Sequence, residues 1–210
     1  MDSVEWYFDF VSPFSYLQLA RFDSLSMPVE LRYRPVLLAG LLNQWGHKGP
    51  AEIPAKRRHT YRFCQWYAER NGVPLHFPPT HPFNSLSLLR LAIALNSEAR
   101  VVRRIFDAIY KKGSDGGNSA VVAGLAAEFG LPDGEAHIND PDVKETLRTN
   151  TNEAIAAGVY GVPMIAWQGE LFWGVDSTDL FLDYLADPER FMLGEYARLA
   201  GLPVGASRRR

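Results

Sequence analysis

The sequence predicts an α/β fold in which a strand, helix, strand unit and a later hairpin and helix are separated by a large all-helical insertion. Apolar residues alternate with period two near the N-terminus, switch to a helical period after residue 36, and return to a short-strand pattern after Pro163. At 210 residues and 47% hydrophobic content, the chain can bury a large core as one domain or two small ones.

Residues 4 to 11 alternate Trp6, Phe8 and Phe10 with Tyr7, Asp9 and Val11, which predicts a strand buried on at least one face. Ser12 ends it. From Pro13 to about Ser24, Phe14, Leu17, Leu19 and Phe22 recur at roughly helical spacing, and proline is well tolerated at a first helical position. Val29 to Val36, with β-branched and aromatic residues, reads as a second strand. In the helical block, Pro54 opens a helix through Phe63, Trp66 and Tyr67 that stops at Asn71-Gly72. Asn84 caps a helix over Leu86 to Leu95, and Ser119 caps one ending at Gly130. Asp140 with Pro141 opens another, closed by Gly158. Gly46 to Pro54 and Pro74 to Pro82 are loops rich in Gly, Pro and His, a type that often carries function. After Pro163, Met164 to Trp167, a Gln168-Gly169 turn and Glu170 to Trp173 form a hairpin signature. Asp176-Ser177 cap a last helix, Leu180 to Leu185, that Pro188 ends. The expected organisation is residues 1–36 and 159–200 in one domain, 37–158 as the helical insertion, and 201–210 as a flexible tail ending in three arginines.

The net charge of −2 leaves no overall basic field to hold nucleic acid or an anionic membrane, so small molecules or proteins are the expected partners. Met1-Asp2-Ser3 lead straight into the first strand without an export signal, and no stretch reaches the roughly 18 to 20 apolar residues that span a bilayer. A cytoplasmic location is the expectation. A single cysteine, Cys64, rules out an internal disulfide, a CxxC redox pair and a multi-cysteine zinc site. It falls among apolar and aromatic neighbours and reads as packing. His59, His76, His81 and His137 lack metal-ligand spacing, so no metal is assigned. Sulfur chemistry here would need a cofactor or substrate to bring the sulfur.

Two motifs stand out. In Phe8-Asp9-Phe10-Val11-Ser12-Pro13-Phe14-Ser15-Tyr16, the Ser12 hydroxyl lies where a strand gives way to a helix N-terminus, a place that favours an anion. In Gly161-Val162-Pro163-Met164, a Val-Pro pair sits between a helix-ending glycine and an apolar strand, a common setting for a cis peptide bond that exposes backbone groups to a ligand. Ser12 as a plain helix cap is the rival reading. A serine nucleophile would need an oriented histidine base, and no G-x-S-x-G element is present. Asp9 is either a partly buried acceptor behind the serine or structural.

The element order is the thioredoxin arrangement with helices inserted between its halves. On the two motifs above, together with Gly49-Pro50, the Pro74-to-Asn84 loop and Trp173-Gly174-Val175-Asp176, the chain resembles the 2-hydroxychromene-2-carboxylate isomerase family, relatives of kappa-class glutathione transferases and of DsbA, essentially from end to end. This resemblance implies a thioredoxin-like fold with a large helical insertion, glutathione as cofactor, and Ser12 as the catalytic residue that contacts the glutathione sulfur where DsbA relatives carry their redox cysteines. It also implies that Val162 pairs its main chain with the cysteinyl part of glutathione, and that Asp176 and Ser177 hold the γ-glutamyl end. Asp176 as a simple cap is compatible with that. For the second substrate, a small aromatic or electrophilic compound, the resemblance points to Lys56, Asn84 and His47. Lys56 belongs to a basic run with Arg57, Arg58 and Arg62 that also reads as a solvated helix face, and capping is the rival role for Asn84. His47 stands where relatives often carry asparagine, and Asp176-Ser177 replaces the family's Asp-Arg, which removes one cation. The implied activity is glutathione-dependent isomerisation of 2-hydroxychromene-2-carboxylate-like substrates in aromatic compound degradation. The alternatives are a kappa-class-like transferase or peroxidase and a non-catalytic thioredoxin-fold binding module. A homodimer is the assembly the resemblance implies.

Overall fold

In the computed structural model, which describes residues 4–25 and 27–206, the aromatic alternation at the N-terminus becomes the central strand of a four-stranded sheet. The sheet order is β2-β1-β3-β4, with β1 (Val4–Phe8) parallel to β2 (Leu31–Pro35) and antiparallel to β3 (Met164–Trp167), and β4 (Glu170–Trp173) antiparallel to β3. Trp6 and Phe8 are fully buried and stacked at 4.7 Å. Phe22 and Tyr33 meet Trp6 edge-on, and Phe106 tilts against both Trp6 and Phe8. Such aromatic pairs contribute roughly 0.5–1.5 kcal/mol each beyond their buried area. The apolar cluster built on them continues without a break into the helices, through Tyr110 to Leu89 and Leu125.

Helix α1 (Pro13–Ser24) follows β1 directly, with Ser12 as its N-cap and Pro13 at its first position. The insertion consists of α2 (Leu38–Trp45), α3 (Pro54–Arg70), α4 (Leu86–Ala94), α5 (Ala99–Phe106), α6 (Ser119–Glu128), α7 (Gly134–Asn139) and α8 (Pro141–Ala156). A single π-helical turn, Asp107–Lys111, follows α5. After the β3–β4 hairpin, a 3-10 turn over Val175–Ser177 runs into α9 (Thr178–Ala186), and α10 (Gly194–Ala200) closes the described fold. Among the described residues no helix is long and apolar enough to cross a membrane.

Four elements differ from the sequence expectation. At α9, expected to be capped by Asp176-Ser177, no side-chain cap forms among the described residues, and Ser177 Oγ donates instead to the Gly174 carbonyl at 3.0 Å. Asn118, not Ser119, caps α6: its Oδ1 accepts from the Ala120 N–H at 2.8 Å, and Ser119 becomes the first helical residue. Asn84 sits one position before the N-cap of α4, where its side chain accepts from the Leu86 N–H at 3.1 Å. The helix expected to be the last is followed by α10, which buries none of its residues and so leaves no apolar period to read. Residues 207–210 of the expected tail lie outside the described residues.

The β1–β3 register positions the site. Tyr7 pairs with Met164, so the end of β1 and the start of β3 lie at the same end of the sheet. Ser12, beyond the one, and Val162, before the other, are thereby brought together from 150 positions apart.

Candidate active site

Ser12 is buried at the start of α1, in extended backbone, and its Oγ accepts from the Ser15 N–H at 3.2 Å. Its hydroxyl has one other neighbour of note, the Val162 carbonyl oxygen at 3.5 Å, a distance at which a hydrogen bond is weak. A better acceptor placed between them would take that proton. Val162 precedes a cis Pro163, and its own N–H donates to no described residue. The serine hydroxyl and an unpaired backbone donor thus share one corner, which is the chemistry needed to hold a small anion beside an extended peptide.

The corner connects to the Asp176-Ser177 segment through hydrogen bonds. The Gly174 N–H donates to the Pro163 carbonyl at 2.9 Å, and the Gly174 carbonyl accepts from Ser177 Oγ at 3.0 Å and from Gln18 Nε2 at 2.9 Å. Gly174 has φ +87° and ψ 164°, a backbone conformation that essentially only glycine adopts, and the exposed Asp176 carboxylate folds back close against it. Asp176 is exposed and Ser177 half-buried, at the entry to α9.

Of the other residues singled out from the sequence, Asp9 meets Ser12 through its backbone carbonyl, which accepts from the Ser12 N–H at 3.0 Å. Asp9 is buried, with Oδ1 accepting from the Val11 N–H at 3.0 Å and Oδ2 from the Leu38 N–H at 2.9 Å. Burial pushes its carboxyl above the usual range, partly offset by hydrogen bonds from the Ser85 side chain and those two amides. Asp9 therefore ties the Ser12 turn to the start of α2. His47 is exposed just past α2, and that helix is tied to the loop before Val162 by Trp45 Nε1, which donates to the Val159 carbonyl at 2.9 Å. Lys56, Arg57, Arg58 and Arg62 are exposed along the N-terminal half of α3, with no acidic partner among the described residues. The same helix meets Phe14 through Phe63, ring centres 6.0 Å apart. Asn84 is exposed beside Ser85. Cys64 is buried in α3, where burial pushes its thiol up to about 12, so it carries no thiolate at neutral pH. Among the described residues no three His, Cys, Asp or Glu side chains gather as a metal site would need.

Sequence reasoning missed three side chains that organise this region. Gln18 is fully buried, accepts from Trp6 Nε1 at 2.8 Å, and donates to the Gly174 carbonyl and to Thr178 Oγ1. His81 and Tyr110 both reach the Val11 carbonyl, next to Ser12. Ser15, by contrast, is buried with its Oγ unpartnered among the described residues. Ser15→Ala should therefore be neutral, or stabilising by up to about 1 kcal/mol, in urea denaturation. A loss greater than that would reveal a partner for the hydroxyl.

Residues 3–186 match the DSBA-like thioredoxin domain. The 2-hydroxychromene-2-carboxylate isomerase of Sphingobium xenophagum is 28% identical over 193 residues, covering 88% of this chain and 98% of its own. Human glutathione S-transferase kappa 1 is 24% identical over 207 residues, covering 88% and 91%. A solved structure of a 2-hydroxychromene-2-carboxylate isomerase superposes with a TM-score of 0.76 at 26% identity, over 94% of this chain and 98% of that one. The relatives are named as enzymes of two kinds, isomerases and glutathione transferases, and this chain carries the DsbA-like thioredoxin fold as a mixed four-stranded sheet with many helices. With residues 3–186 matched, the chain belongs to the family of DSBA-like thioredoxin domains.

Proposed function

We propose that the protein is a glutathione-dependent isomerase acting on 2-hydroxychromene-2-carboxylate-like substrates. The observation that carries this reading is the corner where the Ser12 hydroxyl, held at the N-terminus of α1, faces the Val162 carbonyl at 3.5 Å beside an unpaired Val162 N–H. The likeness to named isomerases over nearly the full chain supports it.

The residues present fit glutathione. The Val162 N–H and C=O pair with the extended cysteinyl segment, as in strand addition, which directs the sulfur at Ser12. A free thiol has a pKa near 8.5, so only a few per cent is ionised at neutral pH; a hydroxyl donor and helix-end amides lower it. Ser12 supplies that donor and does not attack the substrate. Asp176 receives the γ-glutamyl ammonium, while Ser177 and the α9 N-terminus receive its carboxylate. Lys56 anchors the carboxylate of the second substrate, with His47 and Asn84 along the same approach. Glutathione held between Val162 and Ser12 would supply a thiolate nucleophile able to add reversibly to an unsaturated carbon. Position and anion stabilisation are the chain's contribution.

The kappa-class relatives favour a second reading with the same site, a transferase or peroxidase that consumes glutathione. Isothermal titration with reduced glutathione, combined with ultraviolet thiolate absorbance, tests both. Binding with a thiolate signal is expected, and turnover of a chromene carboxylate should then proceed with sub-stoichiometric glutathione. Stoichiometric loss of glutathione would select the transferase. No binding at millimolar glutathione would remove both and leave a binding module.

A further inference from the structure

We propose that Tyr110 and His81 are positioning residues for Ser12, acting through the Val11 carbonyl oxygen that both of them hold. As far as chemistry is concerned this rests on the glutathione reading above, but the geometry stands without it. The peptide group joining Val11 to Ser12 decides where the Ser12 side chain points. Its oxygen accepts from the Tyr110 hydroxyl at 2.8 Å and from His81 Nε2 at 2.7 Å, which uses both lone pairs. Its nitrogen, the Ser12 N–H, donates to the Asp9 carbonyl at 3.0 Å. The next N–H back, that of Val11, is held by the Asp9 carboxylate. Both polar atoms of the Val11–Ser12 peptide and the Val11 N–H are therefore occupied, and the two donors on the oxygen come from segments 70 and 99 positions away.

Satisfying a buried carbonyl requires only one donor. Two donors from separate elements fix the plane of the peptide as well, and each is itself held in place. Tyr110 is fully buried and lies within the π-helical turn, a local widening of a helix that recurs at functional sites. Its ring stacks on Tyr16 at 5.5 Å. On the other side, His81 Nδ1 lies 2.7 Å from the Tyr61 hydroxyl, while Phe77 and Phe83 pack edge-on against the imidazole. With its Nε2 proton on Val11, the neutral ring presents Nδ1 as an acceptor to the Tyr61 hydroxyl, whose proton is shared with the His81 backbone carbonyl at 2.9 Å, so Tyr61 clamps both ends of the histidine. Burial lowers the His81 pKa and keeps the ring in this neutral form at neutral pH.

A shift of the Ser12 hydroxyl by even a fraction of an ångström alters how it meets a thiolate while leaving the peptide-binding backbone of Val162 in place. The expected signature is a turnover effect without a binding effect: Tyr110→Phe and His81→Leu each lower kcat by about tenfold, with the glutathione Kd within about threefold of wild type. His81→Gln, which keeps an N–H donor in reach of Val11, should recover most of the loss. In the absence of glutathione, the 15N–1H signals of the Ser12 and Ser15 amides should move in Tyr110→Phe and His81→Leu and return towards wild type in His81→Gln. Unmoved amide signals, or no recovery in His81→Gln, would overturn the proposal. Tyr110→Phe keeps the core ring and carries the test if His81→Leu does not fold. If wild-type protein binds no glutathione, the functional reading fails, and the amide signals alone still decide the positioning role.

Discussion

Ser12→Ala should lower turnover ten- to a hundredfold and raise the pKa of bound glutathione by about one to two units, since each unit corresponds to about 1.4 kcal/mol of lost anion stabilisation. The sign follows from the donor. With the hydroxyl gone, the bound thiol drifts back towards its free value, so the acidic limb of the pH–rate profile moves to higher pH and the neutral-pH thiolate absorbance falls. The effect is smaller than the loss of an oxyanion-hole donor because sulfur is a weaker hydrogen-bond acceptor than oxygen. Alanine also removes the α1 cap, which costs about 1 kcal/mol of stability. Ser12→Asp separates the two contributions: a carboxylate caps the helix as well as serine does, yet it repels a thiolate. Cap-competent protein with no thiolate signal is the expected outcome for Ser12→Asp. An unchanged thiol titration in Ser12→Ala would show that the hydroxyl takes no part in holding the sulfur.

Gln18→Leu should destabilise the fold by about 2–3 kcal/mol, read from urea denaturation followed by tryptophan fluorescence. The leucine is close in size, so the loss is one of polar satisfaction. The fully buried Trp6 indole N–H would lose its acceptor, and Gly174 and Thr178 would each lose a donor. At this chain length the change corresponds to roughly 4–12 °C in Tm. Glutathione affinity should fall as well, because the Gly174-to-Thr178 turn that presents Asp176 and Ser177 would be released from α1. A stability change below 1 kcal/mol would mean that water replaces the amide without cost.

The parts of this molecule that local patterns encode were legible. Alternation marks β1, a proline after a serine marks the start of α1, and the Gln168-Gly169 turn marks the β3–β4 hairpin. The cis bond at Val162–Pro163 also falls where its flanking residues suggest. Harder to read was anything settled by a distant partner. Gln18 looks like a polar interruption between Leu17 and Leu19 until Trp6 and Gly174 close around it. Tyr110 reads as one more aromatic in a helical stretch, since nothing local tells a π turn from an α turn. His81 carried a partial signal, because it lies in a Pro- and His-rich loop of the kind that carries function, but its acceptor is 70 positions earlier. At Asn118 and Ser119, two adjacent residues can both cap a helix, and the choice depends on where the chain enters it.

The sealed position of Cys64 makes the native chain silent to alkylating reagents, since its only sulfhydryl is shut inside α3. Modification of that side chain can proceed only from molecules that have opened around it. Its labelling rate is therefore a clock for opening of the α3 core, set by the equilibrium between closed and open forms when closing is fast. A ligand that tightens the corner around Ser12 would slow that clock if opening there and opening at α3 are one event, and would leave it running if they are two.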